Sequence, residues 1–168
     1  MNKNFKYIIL LFILLFFQFF IFDKLFLIYL PNIYIYIFFI LILPYNTNKT
    51  LLLFISFLLG LFMDFTNYTP GLHATVTTFI GFLRPKILAI YSPITKYEDK
   101  EILGHKKYGW TWFLKYYSSI ILIHNSLIII LQYFTFYHFL YTLSRILLSF
   151  AISFAFIFII YSFFIRQK

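Results

Sequence analysis

The sequence predicts an all-α integral membrane protein with six transmembrane helices. The first observation behind this is composition: of 168 residues, 62% are hydrophobic and only 11% charged, with mean hydropathy +0.89. An ordinary soluble domain carries about 25% charged residues and cannot hide this much apolar surface at this length. The second is that the apolar residues gather in six long runs. The third is that the runs show no period-two alternation and are too continuous for a barrel.

Taken in order, the runs cover roughly 5–22, 25–43, 51–66, 72–91, 110–133 and 139–165 of a single domain, 1–168. A crossing helix needs about 20 residues, within about 17–25. The first run has a basic start at Lys3 and Lys6 and no small-residue cleavage site after it, so it reads as a retained anchor. The third is short and borrows the region after Asp64, or sits in thinned bilayer. The fourth contains Arg84, Pro85 and Lys86, so it either leaves the membrane near Leu83 or turns along the interface. The last two are long enough to tilt.

Basic residues set the orientation. With both termini cytoplasmic, 12 of the 14 Lys and Arg flank the cytoplasmic side; Lys24 lies outside and Arg145 within the last run. The expected protein is therefore multi-pass, with both termini on the cytoplasmic side of its membrane. Segment 92–109 mixes Glu98, Asp99 and Glu101 with lysines and reads as a solvated loop or a docking surface. The net charge of +9 follows the flanks of the apolar runs and forms no nucleic-acid patch.

Cysteine is absent, which excludes disulfides, thiol nucleophiles and thiolate metal sites. The four histidines fall in different segments, and no catalytic or phosphate-loop motif occurs. The sequence therefore predicts no enzyme, no metal and no cofactor.

The candidate residues are polar or small groups inside apolar runs. Gly60 and Asp64 share a helix face at i,i+4, where Gly60 admits a close neighbour. Asp64 is either a buried anchor for that neighbour or an interfacial carboxylate in water. Gly71 follows Pro70 in a tight turn, and His73 opens the next run. His124, with Asn125 and Ser126, falls at mid-membrane depth, where hydrogen bonds between helices or a small pocket would use it. Arg145 either reaches the interface or pairs with Asp64. Ser149, Ala151, Ser153 and Ala155 form two small-xxx-small pairs that predict a tight helix contact, internal or intermolecular.

The stretch Gly60-Leu61-Phe62-Met63-Asp64, a polar link, then Gly71-Leu72-His73-Ala74 resembles the rod shape-determining protein MreD family. The likeness continues through Phe82-Leu83-Arg84-Pro85 into Trp112-Phe113-Leu114-Lys115-Tyr116. It implies a six-helix fold similar to the substrate-binding subunits of energy-coupling-factor transporters. It implies a non-catalytic scaffold of the cell-elongation complex, with an MreC-like protein, an MreB-like actin homologue, a RodA-type glycosyltransferase and a class B penicillin-binding transpeptidase as partners. That role helps position peptidoglycan synthesis. Its matching positions are Gly60, Asp64, Gly71, His73, Arg84 and Pro85. The alternative is a vitamin-binding subunit of such a transporter. Those subunits commonly carry Ala-x-x-x-Ala on the first helix, whereas here that spacing occurs at Ala151 and Ala155 in the last run.

Overall fold

A computed structural model describes residues 3–25, 32–91, 103–133 and 139–166. The described residues are helical, with no strand among them. Helix α1 (Lys3–Phe17) continues through a π-helical turn (Gln18–Phe22) into the short α2 (Asp23–Leu25). Then come α3 (Ile37–Ile42), α4 (Lys49–Asn67), α5 (Leu72–Ile90), α6 (His105–Tyr133) and α7 (Phe139–Arg166). Four stretches are long and apolar enough to cross a membrane: Phe5–Phe22, Lys49–Asn67, His105–Tyr133 and Phe139–Phe164.

Local chemistry sets the helix ends. Asn48 caps α4, its side chain accepting from the Thr50 N–H at 2.9 Å. That cap lengthens the short third run to about 28 Å at 1.5 Å per residue, close to the bilayer core. Tyr68 at φ 55 and Gly71 at φ 82 turn the chain tightly from α4 into α5. Helix α5 is not broken at Pro85: it runs on to Ile90. Gly109 at φ 82 and ψ 163 kinks α6, so its straight part begins at Trp110, where the fifth apolar run starts.

The largest departure concerns the run 25–43. It does not form one long helix. Residues 26–31 lie outside the described residues, residues 32–35 carry no helix, and α3 has six residues, about 9 Å. Residues 33–43 are buried without exception, surrounded by protein. Hydropathy alone cannot separate a lipid-facing helix from a segment buried on every side. A local signal does exist, because Ile33-Tyr34-Ile35-Tyr36-Ile37 alternates with period two. The alternation sends Ile33, Ile35 and Ile37 into the main apolar core and Tyr34 and Tyr36 into a second cluster with Met63, Val76 and Ile128.

Non-helical backbone inside an apolar bundle is tolerated only when its N–H and C=O groups find partners within the protein. Here side chains from the surrounding helices supply them. Gln18 donates to the Ile33 carbonyl at 2.9 Å and accepts from the Ile35 N–H at 2.8 Å. Ser153 accepts from the Tyr34 N–H at 3.0 Å, and Ser149 donates to the Asn32 carbonyl. The π-helical turn serves this purpose. Leu10, Leu14, Gln18 and Phe22 are all buried at strict i+4 spacing, which drifts about 40° per step on a regular α-helix. The wider turn reduces that drift between Gln18 and Phe22.

Candidate functional site

Two clamps are built on α5, one joining its first turn to α4 and one joining it to the C-terminal end of α3. The first is built on the α4–α5 turn. Leu52, Ser56, Gly60 and Asp64 recur every fourth residue and are buried on one stripe of α4. A Cβ on Gly60 would lie 2.5 Å from both the Ala74 Cα and the His73 carbonyl oxygen, so α5's first turn rests on bare backbone. One turn further on, Asp64 meets the free N–H groups that open α5. Its Oδ1 accepts from His73 N at 2.8 Å and Thr69 Oγ1 at 2.6 Å, and its Oδ2 accepts from Ala74 N at 2.8 Å. The carboxylate thus satisfies orphan donors at the positive end of the helix dipole. Of the two expectations for Asp64, the buried anchor holds: the residue is 5% exposed.

Asp64 is therefore not the partner of Arg145. That guanidinium bonds the Tyr133 hydroxyl and lies over the Tyr133 and Tyr141 rings, 5.0 and 5.4 Å from their centroids. The expected pair rested on charge alone and left out the backbone N–H groups, which sit closer and are fixed by the turn.

The second clamp is at the C-terminal end of α3. Arg84 is 1% exposed and is the largest fully buried side chain. Its Nε donates to the Tyr116 hydroxyl at 3.0 Å, and its Nη2 donates to the Leu43 carbonyl and, at 3.3 Å, to that of Pro44. The Tyr116 hydroxyl donates on to the Leu41 carbonyl at 3.1 Å. These are the carbonyls left open where a helix ends, and a cation there faces the negative end of the dipole. Sequence reasoning counted Arg84 with the cytoplasmic basic residues and, through the resemblance, as a structural candidate. The structure buries it as the cap of α3.

Between the clamps runs a chain of buried polar side chains. The Tyr36 hydroxyl lies 2.8 Å from His124 Nε2, 3.1 Å from His73 Nδ1 and 3.2 Å from Thr77 Oγ1. His124 Nδ1 is 3.2 Å from Asn125 Oδ1, and Asn125 Nδ2 reaches Ser149 and Ser153 at 3.1 and 3.3 Å. The expected hydrogen bonds between helices are made by Asn125, which reaches α7, whereas His124 bonds Tyr36 just before α3.

With both rings neutral, the direction of every bond in this chain follows from one end. Ser149 gives its only proton to the Asn32 carbonyl, so it accepts from the Asn125 amide. Asn125 Oδ1 then accepts from His124 Nδ1–H. His124 Nε2 is left as an acceptor and takes the Tyr36 proton. The Tyr36 oxygen therefore receives a proton from His73 Nδ1–H. His73 Nε2 remains as a bare acceptor, with no hydrogen bond of its own among the described residues.

His73 also lines a cavity of about 140 Å³ beneath the α4–α5 turn, shared with Asp23, Asn32, Tyr34, Asn67 and Gln132. Asp23 accepts from Gln18 Nε2 at 2.7 Å and from Asn67 Nδ2 at 3.3 Å. Sequence reasoning missed Gln18, Asp23, Asn32 and Tyr36 as site residues. Gln18, a lone amide within an apolar run, was the available signal.

The small-residue stripe on α7 divides. Ser149 and Ser153 are buried and bonded inward, while Ala151 and Ala155 face outward and are exposed. The alanines form no tight contact inside the bundle.

In comparison with known proteins, the chain matches no family model, no curated protein and no solved structure.

Proposed function

We propose that this protein is a non-catalytic membrane scaffold of the MreD kind, a six-span subunit that helps position peptidoglycan synthesis in the cell-elongation complex. The observation that carries the reading is which residues do the structural work. The four segments that bear the resemblance to MreD meet in pairs. Gly60 and Asp64 meet His73 and Ala74 in the first clamp. Arg84 meets Tyr116 in the second. Almost all of their polar capacity goes into holding α3, α4, α5 and α6 in fixed relation, as a scaffold requires. The vitamin-binding alternative is the weaker reading. Pockets for vitamin-sized ligands run to about 300–1,000 Å³, whereas the polar cavity here has about 140 Å³.

In this reading the four long apolar helices, the less apolar α5 and the segment 25–43 make up the six-span bundle. MreC-like, MreB-like, RodA-type and transpeptidase partners are its expected contacts. Both termini are cytoplasmic, which puts the α4–α5 turn outside. Tyr68 is 94% exposed at that turn, and Lys49 opens α4 at the opposite end. In whole cells a cysteine replacing Tyr68 is expected to label with an impermeant maleimide, and one replacing Lys49 is not. The reverse pattern discards the orientation. For the role itself, depletion is expected to round the cells with vitamin uptake intact. Rescue of the depleted strain by riboflavin, thiamine or biotin would favour the transporter reading instead.

A further inference from the structure

We propose that the cavity beneath the α4–α5 turn is a binding site for a primary ammonium group. Asp23 and His73 both line it. The Asp23 carboxylate accepts from two neutral amide donors, Gln18 and Asn67, and has Lys24 beside it in the chain. His73, 3% exposed, presents Nε2 as an acceptor because the bond directions running from Ser149 to Tyr36 leave its proton on Nδ1. A buried acceptor left without a donor costs about 1–3 kcal/mol. A carboxylate and a histidine acceptor lining one cavity call for a cation with several N–H donors, and a primary ammonium has three.

Two cations of the chain, Lys24 and Arg145, stay out of the cavity lining. The Lys24 ammonium lies over the Phe19 ring at 5.4 Å, and Arg145 is engaged with Tyr133 and Tyr141. Tyr34 adds an aromatic wall, which also favours a cation. About 140 Å³ admits an ammonium on a short alkyl stem, and a quaternary head has no N–H to offer these acceptors. Asn67 and Thr69 line the cavity at the turn, so it sits at the depth of lipid headgroups. The ammonium is thus supplied either by an ethanolamine lipid or by a free amine. The inference is independent of the scaffold role.

The test uses the full-length protein in nanodiscs of phosphatidylglycerol, with methylammonium chloride as probe. Sodium and tetramethylammonium chlorides at equal ionic strength are the controls. Methylammonium is expected to raise the unfolding temperature saturably, by several degrees, while both controls do not. Asp23→Asn should erase the response. Including phosphatidylethanolamine in the nanodisc separates the sources: a raised baseline with no further response means the lipid headgroup, and an unchanged response means a free amine. Gln132→Lys, on the exposed face of α6, supplies an ammonium from within the chain. It should raise the baseline and abolish the response even where Asp23→Asn does not fold. The proposal is overturned by equal effects of all three salts, by a response that persists in folded Asp23→Asn, or by a normal response in Gln132→Lys.

Discussion

Gly60→Ala, the addition of one methyl group, is expected to destabilise the protein by about 3 kcal/mol or more, beyond the usual range of about 1–3 for overpacking. The new Cβ would stand 2.5 Å from the Ala74 Cα and the His73 carbonyl oxygen and 2.7 Å from the Ala74 nitrogen. These are backbone atoms, so no rotamer change relieves the clash. Separating α4 from α5 also draws the His73 and Ala74 N–H groups away from Asp64, leaving a buried carboxylate short of donors. The gain of about 1 kcal/mol in helix propensity from Gly to Ala does not offset this.

Two controls isolate the cause. Gly71→Ala meets nothing within 4 Å, so its only penalty is a positive φ of 82°, of about 1 kcal/mol. Gly81→Ala meets the Ser56 side chain, with Ser56 Cβ at 2.9 Å, and Ser56→Gly should restore most of the loss. No single change of a neighbouring side chain should rescue Gly60→Ala. Monodisperse yield in detergent and unfolding temperature read all three. A Gly60→Ala protein as stable as the wild type would show that the helices are not in backbone contact there.

What the sequence made legible follows from what hydropathy and spacing can express. The long helices α4, α6 and α7 stand where continuous apolar runs stand. The i,i+4 relation of Gly60 and Asp64 marked the face on which α5 packs. Asp64's partner was not legible, because a backbone N–H at a helix start has no letter of its own. The exchange of Arg145 for His73 and Ala74 is the result. The segment 33–43 escaped for a related reason. Its residues are as apolar as any membrane span, and only the Ile-Tyr alternation distinguishes an extended, fully enclosed stretch from a lipid-facing helix. On α7, Ser149 and Ser153 face inward while Ala151 and Ala155 do not, since two residues rotate a helix by about 200°. The four small residues therefore occupy two faces, and only the hydroxyl-bearing face has hydrogen-bonding groups to meet.

Removing the Arg84 guanidinium should have the second large effect, and its sign is less obvious. A buried cation with no carboxylate partner among the described residues is expensive to desolvate. Arg84→Met, similar in length and apolar, relieves that expense. Yet the groups that Arg84 satisfies remain. The Leu43 and Pro44 carbonyls lose donors, and the Tyr116 hydroxyl loses the bond that holds it over Leu41. Unpaired buried carbonyls cost about 1–3 kcal/mol each. Because two of them belong to the immovable end of α3, the losses should win by about 2–4 kcal/mol. Arg84→Lys keeps the charge but not the fork that reaches Tyr116 and the carbonyls together, so it should fall between wild type and Arg84→Met. Tyr116→Phe gives the cycle its second edge. If Arg84 and Tyr116 act as one cap, the double variant Arg84→Met with Tyr116→Phe should lose less than the sum of the two single losses. Additive losses, or an Arg84→Met protein that unfolds at the wild-type temperature, would mean that α3 is held by packing alone.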